Sequence, residues 1–348
     1  MVELWFGIVA VMLTLYVVLD GFDLGAGALH LLVARTDAER RQVLAAIGPF
    51  WDGNEVWLLA TGGALFVAFP HVLAAGLSGF YFAIFLLLWC LILRGISIEF
   101  RSHVSDPLWR SFWDGTLGLA STLLAVFFGV ALGNLLRGLP LDARGWFGLT
   151  LFTNFSGRPP VGILDGYTVI VGVFALAALM LQGATFLAWR TDATVQARSR
   201  ALAGRLGPAL AIAWPLMTWA TVAVNPGMFR AFWARPLAWL AFAIAVSGLV
   251  AVFRGLRRGR YAAAFIGSSC FLAGLMGATA ASVFPVMLRA VPDASLSITA
   301  YGASNDPAGL RAALGWWSLG FPLAIAYFVV LVRLHRGRAV AAADGEGY

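Results

Sequence analysis

Lysine is absent from the sequence: all 24 basic residues are arginine. Charged residues of either sign make up only 12% of the 348, against 61% hydrophobic. A soluble domain carries about a quarter of its residues as charges, so this deficit makes lipid the expected solvent. Cysteine is almost as scarce. Cys90 and Cys270 both sit inside apolar runs, which excludes a disulfide framework or a cysteine-held metal and leaves packing as their role. Histidine occurs four times, with His103 and His335 in interfacial loops and His30 and His71 near span ends. A membrane haem needs an axial His or Met held within the bundle. Met12, Met180 and Met276 lie inside spans, but a lone Met there reads as packing. Haem ligation by this chain alone is therefore not expected. No Gly-rich phosphate loop, catalytic triad or zinc spacing occurs. The N-terminus lacks the basic start of a cleaved signal peptide, and its apolar run is too long for one, so it reads as a first span.

What is present is a series of long apolar runs. About 20 apolar residues cross a hydrocarbon core roughly 30 Å thick. Nine such runs are expected, at about 4–34, 52–75, 77–100, 113–136, 166–189, 205–224, 237–253, 261–284 and 312–333. The fold class is an all-α polytopic membrane protein forming one integral domain over residues 1–334. The second run is the most diluted, by Gly62, Gly63 and Pro70. Residues 335–348 read as a disordered tail. The net charge of +7 is a matter of topology: the arginines fall in short loops, where retention on one side and anionic lipid account for them, and nucleic acid is not an expected partner. The connections after the first, third, fifth and seventh spans, together with the tail, hold 16 arginines, and the opposite side holds 7. The richer side is expected to be cytoplasmic, with the N-terminus outside and the C-terminus inside. The 14 tryptophans include Trp219, Trp233, Trp239, Trp316 and Trp317 near the outer ends, as an interfacial belt.

The candidate site follows from ionisable residues inside the spans. A charge at the bilayer centre costs about 2.5–3.5 kcal/mol on insertion scales, so it persists only where it faces protein, water or a partner. Asp20 and Asp23 are three apart and share one helical face near the cytoplasmic end of the first span. Gly21 and Gly25 have the spacing of a close helix–helix approach. The second span opens on Trp51, Asp52, Gly53, Asn54 and Glu55. Here Asp52 is readable as an N-cap with Glu55 closing a capping box, although a cap does not explain two acids, an Asn and two tryptophans together. The third span closes on Arg94, Glu99 and Arg101. Arg94 either snorkels to the interface or pairs with Asp20, Asp23 or Asp52 at the same depth. Three distant segments thus bring charge to one level, an arrangement suited to proton uptake through bound water.

These segments resemble subunit II of the cytochrome bd-type quinol oxidases, including the cyanide-insensitive branch. The matching stretches are LDGFDLGAG at 19–27, PFWDGNEVWL at 49–58, GGALF at 62–66, GFY at 79–81 and Arg94 with EFRS at 99–102. GNLLRG at 133–138, QGAT at 182–185, FPVM at 284–287 and SLSI at 295–298 extend the match over about residues 4–334, most specifically in the first 140. The resemblance implies two four-helix bundles, about 1–137 and 160–334, plus one peripheral helix. It implies a haem-bearing subunit I as partner, carrying haems b and d, with quinol and O2 as substrates of the complex and small single-span subunits as further partners. No cofactor would be firmly bound by this chain alone, although some members hold a structural quinone. By motif match Asp52, with Asp20, Asp23 and Glu55, would line a cytoplasmic proton path, while Arg94, Trp51, Glu99 and Arg101 would serve charge pairing or quinone contact. Arg289 departs from the family, which often has Pro there. Two other classes compete: a secondary transporter, which fits Gly- and Pro-interrupted helices but would show an inverted repeat, and a structural scaffold subunit whose acids only pair with Arg94.

Overall fold

The computed structural model describes residues 1–340. Among these, eight helices are long and apolar enough to cross a membrane: α1 (Val2–Val33), α5 (Tyr81–Phe100), α6 (Pro107–Arg137), α7 (Gly166–Arg190), α8 (Ala193–Val224), α10 (Pro236–Arg257), α11 (Tyr261–Val283) and α13 (Pro307–Leu334). The expected span 52–75 is instead two helices, α3 (Trp51–Ala68) and α4 (Pro70–Gly79). Phe69 between them has φ −137° and ψ 59°. Pro70 has no N–H to continue the ladder and disfavours the helical region for the residue before it, so the segment bends there.

Helices also extend beyond the apolar runs. α6 begins at Pro107 behind Asp106, whose carboxylate caps the N–H groups of Leu108 and Trp109. α8 begins at Ala193, twelve residues before the expected start at 205, and continues through Pro208 and Pro215. Hydropathy reports where lipid is met and not where a helix starts, and this accounts for both differences. Three shorter pieces were not anticipated. α2 (Asp37–Ile47) carries a complete capping box between Thr36 and Glu39. α9 (Pro226–Ala234) and a hairpin of β1 (Val286–Leu288) with β2 (Ile298–Thr299), followed by α12 (Ala300–Ala303), lie at the opposite end.

Two bundles and a peripheral helix account for the spans. In the first, α1 packs on α3 and α6, and α5 packs on α6; in the second, α7 packs on α8 and α11, and α10 on α11. α1 also crosses α7, joining the bundles. At that crossing a Cβ on Gly25 would overlap the carbonyl oxygen of Leu179, and one on Gly183 would overlap the Ala26 amide nitrogen. The two backbones therefore touch, which side chains of any size would prevent. α13, last in the chain, lies against α3 of the first bundle and is the peripheral helix. Of the expected tail, residues 335–340 are described: Ala339 is buried and its N–H donates to Arg190 O at 2.7 Å. Residues 341–348 lie outside the described residues.

α2 ties the bundles together at the arginine-rich end. Glu39 accepts from Thr194 Oγ1 at 2.6 Å and from Arg198 NH1 at 2.8 Å, both on α8. The Thr194 hydroxyl first, and then backbone N–H groups and Arg198, hold the Glu39 carboxyl at about 2, below its ordinary 4.5. A depressed carboxylate contributes stability that is complete above about pH 4.5 and lost as pH falls towards 2. Glu39→Gln is therefore expected to lower the thermal midpoint at neutral pH, and the difference from wild type should shrink steadily in acid. A gap that does not change with pH would contradict this.

Candidate functional site

Asp20 and Asp23 face inward on α1 as their spacing requires, and both are completely buried. Arg94, from α5, is equally buried and reaches both Asp20 Oδ1, at 2.7 Å, and Glu55 Oε2 on α3, at 2.9 Å. It therefore does not snorkel. Its planar fork suits two carboxylates arriving from different helices. Asp23 is held separately: Asn54 Nδ2 donates to Asp23 Oδ2 at 2.7 Å and to the Leu19 carbonyl at 3.3 Å. Helices α1, α3 and α5 thus deliver their charges to one level, as the sequence implied.

The same structure revises the reading of the α3 start. The helix begins at Trp51 with Phe50 in the capping position and no side-chain cap, so Asp52 lies within the first turn and is not the N-cap. Glu55, for which a capping box was the competing reading, pairs with Arg94. Trp51 packs its ring against Gly95, where an added Cβ would stand 3.1 Å from it. Asp52 is exposed, in line with Val56, Leu59 and Phe66 on one outward stripe of α3. It makes no hydrogen bond or ion pair with the described residues. Glu99 is half-buried on α5, and its carbonyl accepts from His103 Nδ1 at 2.8 Å.

Several buried polar atoms around this cluster have no protein partner: Tyr16 Oη, Asp20 Oδ2, Asp23 Oδ1, Arg94 Nε and Trp51 Nε1. Leaving such atoms unsatisfied costs about 1–3 kcal/mol each. Buried polar groups left over in this way are ordinarily bridged by internal water. Tyr16 lies one turn before Asp20 on α1, which extends the polar row to Tyr16, Asp20 and Asp23.

A second charged cluster went unnoticed in the sequence. His30 of α1 is fully buried, and its Nε2 lies 2.6 Å from Asp114 Oδ1 on α6. Arg101, which caps α5, holds the same carboxylate through Nε at 2.6 Å and NH2 at 3.1 Å, and Arg40 of α2 reaches it at 2.9 Å. Arg101 NH2 also contacts Asp37 at 2.9 Å, and Asp37 in turn pairs with Arg110 at 3.2 Å. Arg101 therefore belongs to this network and makes no contact with Asp20 or Asp23. Asp114 is the second residue of the expected span 113–136, so the criterion that singled out Asp20 would have found it, had an acid at the edge of an apolar run been counted. The other three histidines are peripheral: His71 lies against Trp146, His103 is exposed, and His335 Nδ1 is 3.0 Å from the Leu331 carbonyl.

At the opposite end, Arg137 pairs with Asp165, and its NH2 donates to Asn134 Oδ1 at 2.7 Å. Arg289 donates from NH1 to the carbonyls of Arg137 at 2.7 Å and Val224 at 3.0 Å. The arginine closes helix C-termini that a proline could not reach.

Residues 1–335 match the family model described as cytochrome bd terminal oxidase subunit II. Among similar proteins, a probable cytochrome oxidase subunit 2 from Haemophilus influenzae is 31% identical over 94% of this chain and 92% of its own length. Cytochrome bd-I ubiquinol oxidase subunit 2 from Escherichia coli is 39% identical over 200 residues, 58% of this chain and 52% of that protein. The solved bd oxidase from Geobacillus thermodenitrificans shares the fold, with a TM-score of 0.71 over 96% of this chain and 98% of that one at 18% identity.

Proposed function

The chain belongs to the cytochrome bd terminal oxidase subunit II family, and from that premise we propose that it supplies a cytoplasmic proton path to a haem-bearing subunit I. In this reading the partner carries haems b and d, oxidises quinol at the outer face and reduces O2 to water, while this chain contributes to the proton motive force by drawing protons from the arginine-rich side. That side is cytoplasmic by the arginine bias, with the N-terminus outside and the C-terminus inside. The histidines here offer no paired axial site, because among the described residues only His30 is fully buried and the other three sit at the periphery.

The observation that carries the proposal is Asp52. Asp52 stands in the first turn of α3, on the outward stripe that carries Val56 and Leu59, and has no partner among the described residues. Protein or water must cover it, and the haem subunit docked against α3 provides both. Glu55 lies three residues on, half-exposed at 24%, and connects Asp52 to Arg94, Asp20 and the unsatisfied oxygens of Asp20, Asp23 and Tyr16. Carboxylates spaced by bound water relay protons, and Arg94 keeps them from repelling one another. Arg94 is given this charge-holding role, and Trp51 packs beside it against Gly95.

Asp52→Asn and Glu55→Gln, in the assembled complex, are each expected to cut quinol-driven oxygen consumption and proton uptake by about 100-fold, the lower end for one proton-transfer group, with haem content unchanged. Unchanged turnover in both variants would return the chain to a scaffold role. That second reading draws on the tight pairing of Arg94 with Asp20 and Glu55, but it leaves Asp52 without a purpose.

A further inference from the structure

Between Asp192 and Asp293 the sequence holds no acidic residue, yet it holds ten arginines. The arginine-rich end is consequently divided. In the first bundle and α2, the guanidinium groups of Arg40, Arg94 and Arg101 are matched by Asp20, Asp37, Glu55 and Asp114. In the second bundle, Arg200 and Arg205 of α8, Arg254 and Arg257 of α10 and the adjoining Arg258 and Arg260 are all exposed. None of these six makes an ion pair with a described residue. Glu39, the acid on α2 nearest to α8, is taken by Thr194 and Arg198.

Two of these arginines flank a groove of about 390 Å3 between α8 and α10, lined by Ala197, Arg200, Ala201, Gly204, Leu256 and Arg257. Ala197, Ala201 and Gly204 fall at i, i+4 and i+7, so the α8 wall is a strip of small side chains. Open space lies above Gly204, where an added Cβ would meet nothing within 4 Å. Arg257 is the last residue of α10, and Arg200 lies in the polar opening turns of α8. Both therefore stand at headgroup depth, with the apolar parts of both helices leading away from them into the membrane.

We propose that this groove binds the phosphodiester headgroup of an anionic phospholipid, with the headgroup seated on the Ala197–Gly204 strip and the acyl chains continuing past Gly204 along the apolar part of α8. Two guanidinium forks facing a small-residue wall match a phosphate oxygen pair in charge and in planar donor geometry. Basic pockets between helices at this depth hold such headgroups. Among the described residues no carboxylate pairs with Arg200 or Arg257, and residues 193–292 contain no acid.

The test uses the delipidated oxidase complex with full-length chain, titrated with dioleoyl phosphatidylglycerol and read by native mass spectrometry. Dioleoyl phosphatidylcholine and inorganic phosphate form the comparison arms. Phosphatidylglycerol should be retained, phosphatidylcholine should be lost at the same activation energy, and inorganic phosphate should not displace the retained lipid. The double variant Arg200→Gln/Arg257→Gln should weaken retention about 25-fold, from about fivefold per surface arginine. Gly204→Leu keeps both charges but fills the groove, and should also lose the lipid. Equal retention of phosphatidylcholine, displacement by phosphate alone, retention unaffected by either variant, or loss of an acidic polypeptide rather than lipid from the double variant would each overturn the proposal. Thermal midpoints of the variants confirm that they fold.

Discussion

Arg94→Leu is expected to destabilise the assembled protein by about 3–5 kcal/mol, the cost of stranding a buried charge. Among the described residues, Arg94 is the one cation paired with both Asp20, which is fully buried, and Glu55. Without it two carboxylates from different helices face one another, with Asp23 close by on α1. They must then bind protons, recruit water or push the helices apart, and each of these weakens the packing of α1, α3 and α5. Arg94→Lys is expected to fall between: the charge remains, but an ammonium is a point donor and cannot span contacts of 2.7 Å and 2.9 Å on two helices as a guanidinium does. The triple variant Arg94→Leu/Asp20→Asn/Glu55→Gln removes the like charges and should recover much of the loss, since an uncharged buried set is far less costly than an unpaired one. Thermal denaturation of the haem-loaded complex, followed by haem absorbance, reads all three. A midpoint for Arg94→Leu equal to wild type would show that the cluster is solvated and carries little of the fold.

How far this cluster was legible depended on where each residue sits along its helix. Asp20, Asp23 and Arg94 stood out because they interrupt apolar runs, and their partnership followed from a shared depth. Glu55 had two readings, because a local rule for helix starts competes with a contact to α5, and sequence spacing cannot rank a capping box against an arginine 39 residues away. Asp52 looked like a member of the buried set, yet its position on the helical face turns it outward with Val56 and Leu59. One residue of rotation is about 100° on a helix, so Asp52 and Gly53 point apart although they are neighbours. The His30–Asp114–Arg101 network was missed for a different reason. Its members lie at the ends of α1, α6 and α5, where a charge is cheap and draws no notice, and only tertiary packing brings His30 within 2.6 Å of a residue 84 positions on. Spans were legible almost throughout. The break at Pro70 was visible as a proline, but its consequence, two helices in place of one, needed the backbone at Phe69.

The crossing of α1 and α7 joins the charge cluster to the rest of the molecule, and it gives the other large effect. Gly183→Val is expected to cost at least about 3 kcal/mol, the upper range for overpacking, because the clash is with backbone and no rotamer can relieve it. A Cβ on Gly183 would overlap the Ala26 amide nitrogen and the Gly25 carbonyl carbon. The helices can only separate, and that would break what surrounds them: Gln182 Nε2 donates to the Val18 carbonyl at 3.1 Å, and Gln182 Oε1 accepts from Ser268 on α11 at 2.5 Å. Val18 is two residues from Asp20, so a displaced α1 also moves Asp20 and Asp23 away from Arg94 and Asn54. Stability and proton transfer should therefore fall together in Gly183→Val. Gly62→Ala on α3, where an added Cβ meets nothing within 4 Å, should be neutral or slightly stabilising, because glycine is the poorer helix former. Melting of the haem-loaded complex together with oxygen consumption distinguishes the two cases. A Gly183→Val complex that melts and turns over like wild type would mean that the backbone contact is not what couples the bundles, and that α1 holds its acids in register by its contacts with α3 and α6 alone.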